Sequence, residues 1–121
     1  MNLKCTKVDN VMVVNVNEIK FTNIYAADFR EAVDKLIDEG NLCLLINLEK
    51  VSYMDSSGLG AIVSSFNYLT DTTVKSGDTG KLAICSLNHN VDFLFSMLRM
   101  NGIIEIYDNE RIALDKMCFN S

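Results

Sequence analysis

The 121 residues are 49% hydrophobic and 22% charged. This is an ordinary globular mix with enough apolar surface to offset ordering entropy, so a mainly disordered chain is excluded and one domain spanning 1–121 is expected. Eleven basic against sixteen acidic side chains give a net charge of −5, with no lysine or arginine block, which argues against direct nucleic-acid binding.

In chain order, two Val-rich strands are predicted over 3–8 and 11–17, separated by the turn pair Asp9-Asn10. A helix follows, with Ala26, Phe29, Val33, Leu36 and Ile37 at helical spacing and Gly40 as its stop. Residues 42–48 (LCLLINL) read as a central strand buried on both faces. A second helix carries the stripe Leu59, Ile62, Val63, Phe66 and Leu69. Residues 71–80 (DTTVKSGDTG) are polar and hold two glycines, so a long exposed loop is expected there.

Strand 81–86 comes next, then a third helix capped by Asn88 or Asn90 with Val91, Leu94, Phe95 and Leu98 inward. Strand 103–107 and a helix over 109–118, with Ile112, Ala113 and Met117 inward, complete the order ββαβαβαβα. Strands alternating with helices predict an α/β fold: a mixed sheet, parallel through its crossovers and flanked by helices.

No apolar run approaches the roughly 18 residues of a membrane span, and the first ten residues hold no signal-peptide core. The cysteines (Cys5, Cys43, Cys85, Cys118) are scattered without a CxxC. That spacing suggests neither disulfide nor metal, and a cytoplasmic setting is expected.

The segment 51–63 (VSYMDSSGLGAIV) carries the chemistry. It is a short apolar approach, a polar turn and a helix start. Asp55, Ser56 and Ser57 all suit a helix N-terminus, where backbone amides lack partners. Gly58 and Gly60 each cost a helix about 1 kcal/mol relative to alanine. Two such costs beside two hydroxyls suggest a surface kept open to another molecule's backbone. Asp55 either caps the helix or orients the Ser56 hydroxyl, and Leu59 either begins the core stripe or meets a partner. Met54 and Tyr53 read as the packed end of a strand.

The run Met54-Asp55-Ser56-Ser57-Gly58-Leu59-Gly60 resembles the signature of the STAS domain (sulfate transporter and anti-sigma factor antagonist). It is most similar to the small stand-alone anti-sigma factor antagonists of bacteria. Residues 47–53 resemble that family's approach strand, and Leu94-Phe95 with 103–106 its third helix and last strand.

The resemblance implies a STAS-like fold and a binding switch, not an enzyme. Ser56 would be the phosphoacceptor, with Ser57 as a weaker one. Asp55, Ser57, Gly58, Leu59, Gly60, Lys20 and Asn23 would meet the partner. An anti-sigma factor that is also a GHKL-type serine kinase would bind the unphosphorylated protein, phosphorylate it and so release it. A PP2C-type serine phosphatase would reset the switch. The chain itself would need no cofactor, metal, membrane or nucleic acid.

Three departures from the family pattern stand out. Asn17-Glu18-Ile19-Lys20 replaces a Gly-Glu-apolar-Asp element, so Lys20 changes the local charge by two units; it either attracts a phosphate or is simply solvated. The 71–80 loop is longer than usual. Arg99 stands at a family glycine, with Gly102 displaced to a later turn.

Among rival readings, a serine hydrolase lacks its G-x-S-x-G elbow, and His89 is the sole histidine. A dinucleotide fingerprint fails because Val63 sits at its third glycine. The alternative within the fold is a scaffold or regulatory subunit of a stress-signalling or lipid-transport complex, or a nucleotide-responsive module.

Overall fold

The computed structural model describes residues 1–118, with backbone only at Cys118, so that side chain lies outside the described residues. Strands β1 (Leu3–Val8) and β2 (Val11–Val16) form an antiparallel hairpin. Its turn places Asp9 at φ +53°, a left-handed conformation that aspartate tolerates better than most side chains. A two-residue strand β3 (Lys20–Phe21) precedes α1 (Asn23–Asp38). Then come β4 (Cys43–Asn47), the two-residue β5 (Tyr53–Met54) and α2 (Ser56–Ser76). The chain continues through β6 (Lys81–Cys85), α3 (His89–Met97), a 3-10 turn (Met100–Gly102), β7 (Glu105–Tyr107) and α4 (Glu110–Cys118).

The main sheet runs β1-β2-β4-β6-β7, parallel at every pairing except the first. This is the expected mixed α/β sheet flanked by helices. Alternate residues of each strand feed opposite faces, because the side-chain period of a strand is two. Leu44, Ile46, Leu82 and Ile84 join Phe29, Val33, Ile37, Ile62, Leu69 and Phe95 in the larger core under α1, α2 and α3. Val11, Val13, Leu45, Ala83 and Cys85 form a smaller core with Ala113 and Met117 of α4. Burial on both sides explains the unbroken apolar run at the centre of the sheet.

One ladder is new, and three expectations are corrected. The β3–β5 pair forms a separate parallel ladder, Lys20 with Tyr53 and Phe21 with Met54, which the sequence did not single out. The loop expected over 71–80 is helical as far as Ser76. Gly77, at φ +77°, closes α2 by donating its N–H to the Thr73 carbonyl. Helix propensity and a left-handed glycine stop outweigh the polar composition there.

Leu98, expected inside, is 46% exposed because α3 ends at Met97. The last strand begins at Glu105, and Ile103 lies before it, also exposed. Asn88, not Asn90, caps α3, its side chain accepting from the Val91 N–H at 3.0 Å. Asn90 reaches back to donate to the Ser52 carbonyl.

Candidate functional site

The β3–β5 ladder sits where β2 leads into α1 and β4 leads into α2, and it fixes the start of α2. Ser52 and Tyr53 donate their backbone N–H groups to the Ile19 carbonyl, and Asp55 N–H points at the Phe21 carbonyl. Phe21 is fully buried against Phe29, with ring centroids 5.0 Å apart, so this anchor is packed into the core. The first turn of α2 is therefore held by a segment far away in sequence.

Asp55 is the N-cap of α2, its carboxylate accepting from the Gly58 N–H at 3.0 Å. The capping alternative for Asp55 is the one the geometry shows. Ser56 follows as the first helical residue, exposed, and its hydroxyl has no partner among the described residues. It stands at the positive end of a 21-residue helix, where unpaired amides favour an anion.

The two motif glycines have different surroundings. A Cβ on Gly58 would lie 2.4 Å from the Phe21 carbonyl oxygen, so only glycine lets α2 approach β3 this closely. A Cβ on Gly60 would meet nothing within 4 Å. Gly60 thus carries the helix penalty of glycine without an internal packing reason.

The remaining candidates divide by accessibility. Leu59 is 3% exposed and lies in the larger core, so it begins the core stripe instead of presenting a contact surface. Met54 is likewise buried, while Tyr53 is half exposed. Ser57, Gly60 and Asn23 line one shallow groove between the first turns of α1 and α2. Ala26, Ala27 and Ala61 keep it shallow, and Arg30 is its one charged lining residue. The sequence reading missed Arg30; its position on α1, away from the motif, gave no signal.

Lys20 is exposed on β3, paired with Tyr53. Glu18, in the departing segment, accepts a bond from the Asn2 backbone N–H at 2.6 Å. Arg99 takes φ +57°, a left-handed geometry that glycine adopts more readily than arginine.

Other reactive groups lie elsewhere. His89 begins α3 at the surface. Burial pushes the Cys85 thiol up to about 11, which keeps it protonated and inert near neutrality. No helix among the described residues is long and apolar enough to cross a membrane.

The STAS domain family model matches residues 2–113. The anti-sigma-B factor antagonist of Bacillus subtilis (strain 168) is 33% identical over 107 residues, covering 88% of this chain and 92% of that protein. The anti-sigma F factor antagonist of Paenibacillus polymyxa is 32% identical over 74 residues, covering 61% of this chain and only 58% of that relative's length.

The same fold occurs in solved structures of the Bacillus anti-sigma factor antagonist SpoIIAA. The unphosphorylated form matches with a TM-score of 0.71 at 17% identity, over 95% of this chain and 96% of that one. The phosphorylated form matches with a TM-score of 0.70 at 17% identity, over 95% and 98%. With a family match across nearly all the described residues and this strand-turn-helix site, the chain belongs to the STAS domain family.

Proposed function

We propose that this protein is an anti-sigma factor antagonist whose docking to an anti-sigma factor is gated by phosphorylation of Ser56. The observation that carries the reading is the Ser56 hydroxyl itself. It is exposed, has no hydrogen-bond partner among the described residues, and stands at the capped N-terminus of α2 beside the two-strand β3–β5 anchor. The names of the relatives support the antagonist part of this reading.

The physical logic follows from charge. A phosphoryl group adds about −1.5 to −2 charge at neutral pH. At a helix N-terminus that charge is favoured by roughly 0.3–2 kcal/mol, so the modified protein keeps its fold. The two forms of SpoIIAA match this chain almost equally well, which supports a fold indifferent to the modification. The cost falls on the complex. Burying an unpaired ion costs several kcal/mol, roughly, even after relaxation, and about 5.5 kcal/mol inverts a 99:1 equilibrium.

In this reading Ser57, Gly60 and Asn23 form the groove beside the acceptor that the partner covers. Gly58, Leu59 and Asp55 act indirectly, by setting the turn. Ser57 is the runner-up acceptor, and its half-buried position makes it the poorer one. The kinase is of the GHKL type and doubles as the anti-sigma factor; a PP2C-type phosphatase restores the hydroxyl. The chain is a cytoplasmic substrate and ligand, not a catalyst.

The test is incubation with the cognate anti-sigma kinase and magnesium ATP, followed by phosphosite mass spectrometry. Phosphate on Ser56, abolished by Ser56→Ala, is the expected result. A chain that stays unmodified at both Ser56 and Ser57 overturns the switch and favours a scaffold role.

A further inference from the structure

Helices α1 and α2 lie side by side and run the same way. The Ser65 hydroxyl donates to Asp34 at 3.0 Å, and one turn further on the Tyr68 hydroxyl donates to Asp38. These two bonds set the register. One turn back on each helix brings Arg30 level with Ala61, and a second turn brings Ala26 level with Ser57. All four residues line the groove beside the Ser56 turn.

Arg30 has a natural partner on its own helix and does not use it. Asp34 stands four residues on, the spacing at which opposite charges pair along a helix. Its carboxylate instead accepts from Ser65, which is fully buried and needs an acceptor. On the other side of Arg30, Ala26 and Ala27 carry no charge. Arg30 is therefore exposed and in no ion pair among the described residues. On a chain of net charge −5, the groove thus displays a single charge, and it is positive.

We propose that Arg30 is the recognition residue of this groove, and that its guanidinium takes a carboxylate which the anti-sigma factor lays between the first turns of α1 and α2. This rests on the antagonist reading above and names the chemistry the partner presents. A guanidinium offers two parallel N–H donors to the two oxygens of a carboxylate, a geometry that lysine does not supply. The small residues Ala26, Ala27, Gly60 and Ala61 leave the approach open. A cationic or wholly apolar segment in the same place would cover the guanidinium and leave it unpaired, which is costly.

Calorimetric titration of the cognate anti-sigma factor with the unmodified full chain, without ATP so that no phosphate is transferred, tests the pairing. Arg30→Ala should weaken binding by about tenfold or more, and Arg30→Glu by about 100-fold or more. Arg30→Lys should fall between Arg30→Ala and the unaltered chain. Lys35→Glu makes the same change of charge at an exposed site on α1 outside the groove, and should leave the affinity unchanged. Replacing the partner's exposed carboxylates by lysine, one at a time, should yield one variant that restores binding to the Arg30→Glu chain. Arg30 is exposed, and unchanged circular dichroism confirms that its variants fold. Binding indifferent to Arg30→Glu, an equal loss with Lys35→Glu, or no restoring variant overturns the inference and leaves the Ser56 switch standing. An unaltered chain that does not bind the anti-sigma factor at all overturns the antagonist reading, and the inference with it.

Discussion

Gly58 and Gly60 look alike in the sequence, and their surroundings separate them. Gly58 faces the Phe21 carbonyl, which is backbone and cannot swing aside. Gly58→Ala should therefore destabilise the fold by about 2–3 kcal/mol in urea denaturation. Gly60 faces open space, so Gly60→Ala should stabilise the helix by up to about 1 kcal/mol. The same Gly60→Ala protein should bind its anti-sigma partner more weakly, because the added methyl group enters the groove shared with Ser57 and Asn23. Unchanged affinity would show that the partner does not approach this backbone. Arg99 offers a third residue-scale contrast. Its left-handed φ of +57° costs a non-glycine side chain roughly 1–2 kcal/mol. Arg99→Gly should recover about 1 kcal/mol of that in dilute solution, offset in part by glycine's greater freedom when unfolded.

At the scale of elements, the start of α2 depends on one cap and one short ladder. Asp55→Ala removes the bond to the Gly58 amide and should cost about 1 kcal/mol. It should also slow Ser56 phosphorylation, since the acceptor turn is then less firmly held; an unchanged rate would confine Asp55 to stability. Much of this element was legible in the sequence. The apolar spacing marked α1, α2 and both buried strands, and the run 54–60 marked the turn itself. The β3–β5 ladder was not legible, because two-residue strands have no periodicity to read and their pairing joins segments more than thirty positions apart. The end of α2 was misread for a different reason. Threonines, an aspartate and a glycine resemble a loop by composition, yet the run from Asp71 to Ser76 continues an established helix and stops only at the left-handed Gly77. The exposed turn at Ser56 was legible from its motif, whereas Arg30 reaches the groove only through the packing of α1 on α2.

For the whole molecule, the account separates folding from docking. The two cores lie on opposite faces of the sheet, and neither contains Ser56. Esterifying that hydroxyl should leave the far-ultraviolet circular dichroism spectrum and the thermal midpoint nearly unchanged; a large loss of helix signal would place the switch in the fold instead. The central claim is tested most directly by calorimetric titration of the cognate anti-sigma kinase with unmodified and Ser56-phosphorylated protein under identical conditions. The account predicts that phosphorylation weakens binding by about 100-fold or more, equivalent to about 2.7 kcal/mol. Equal affinity of the two forms would contradict it.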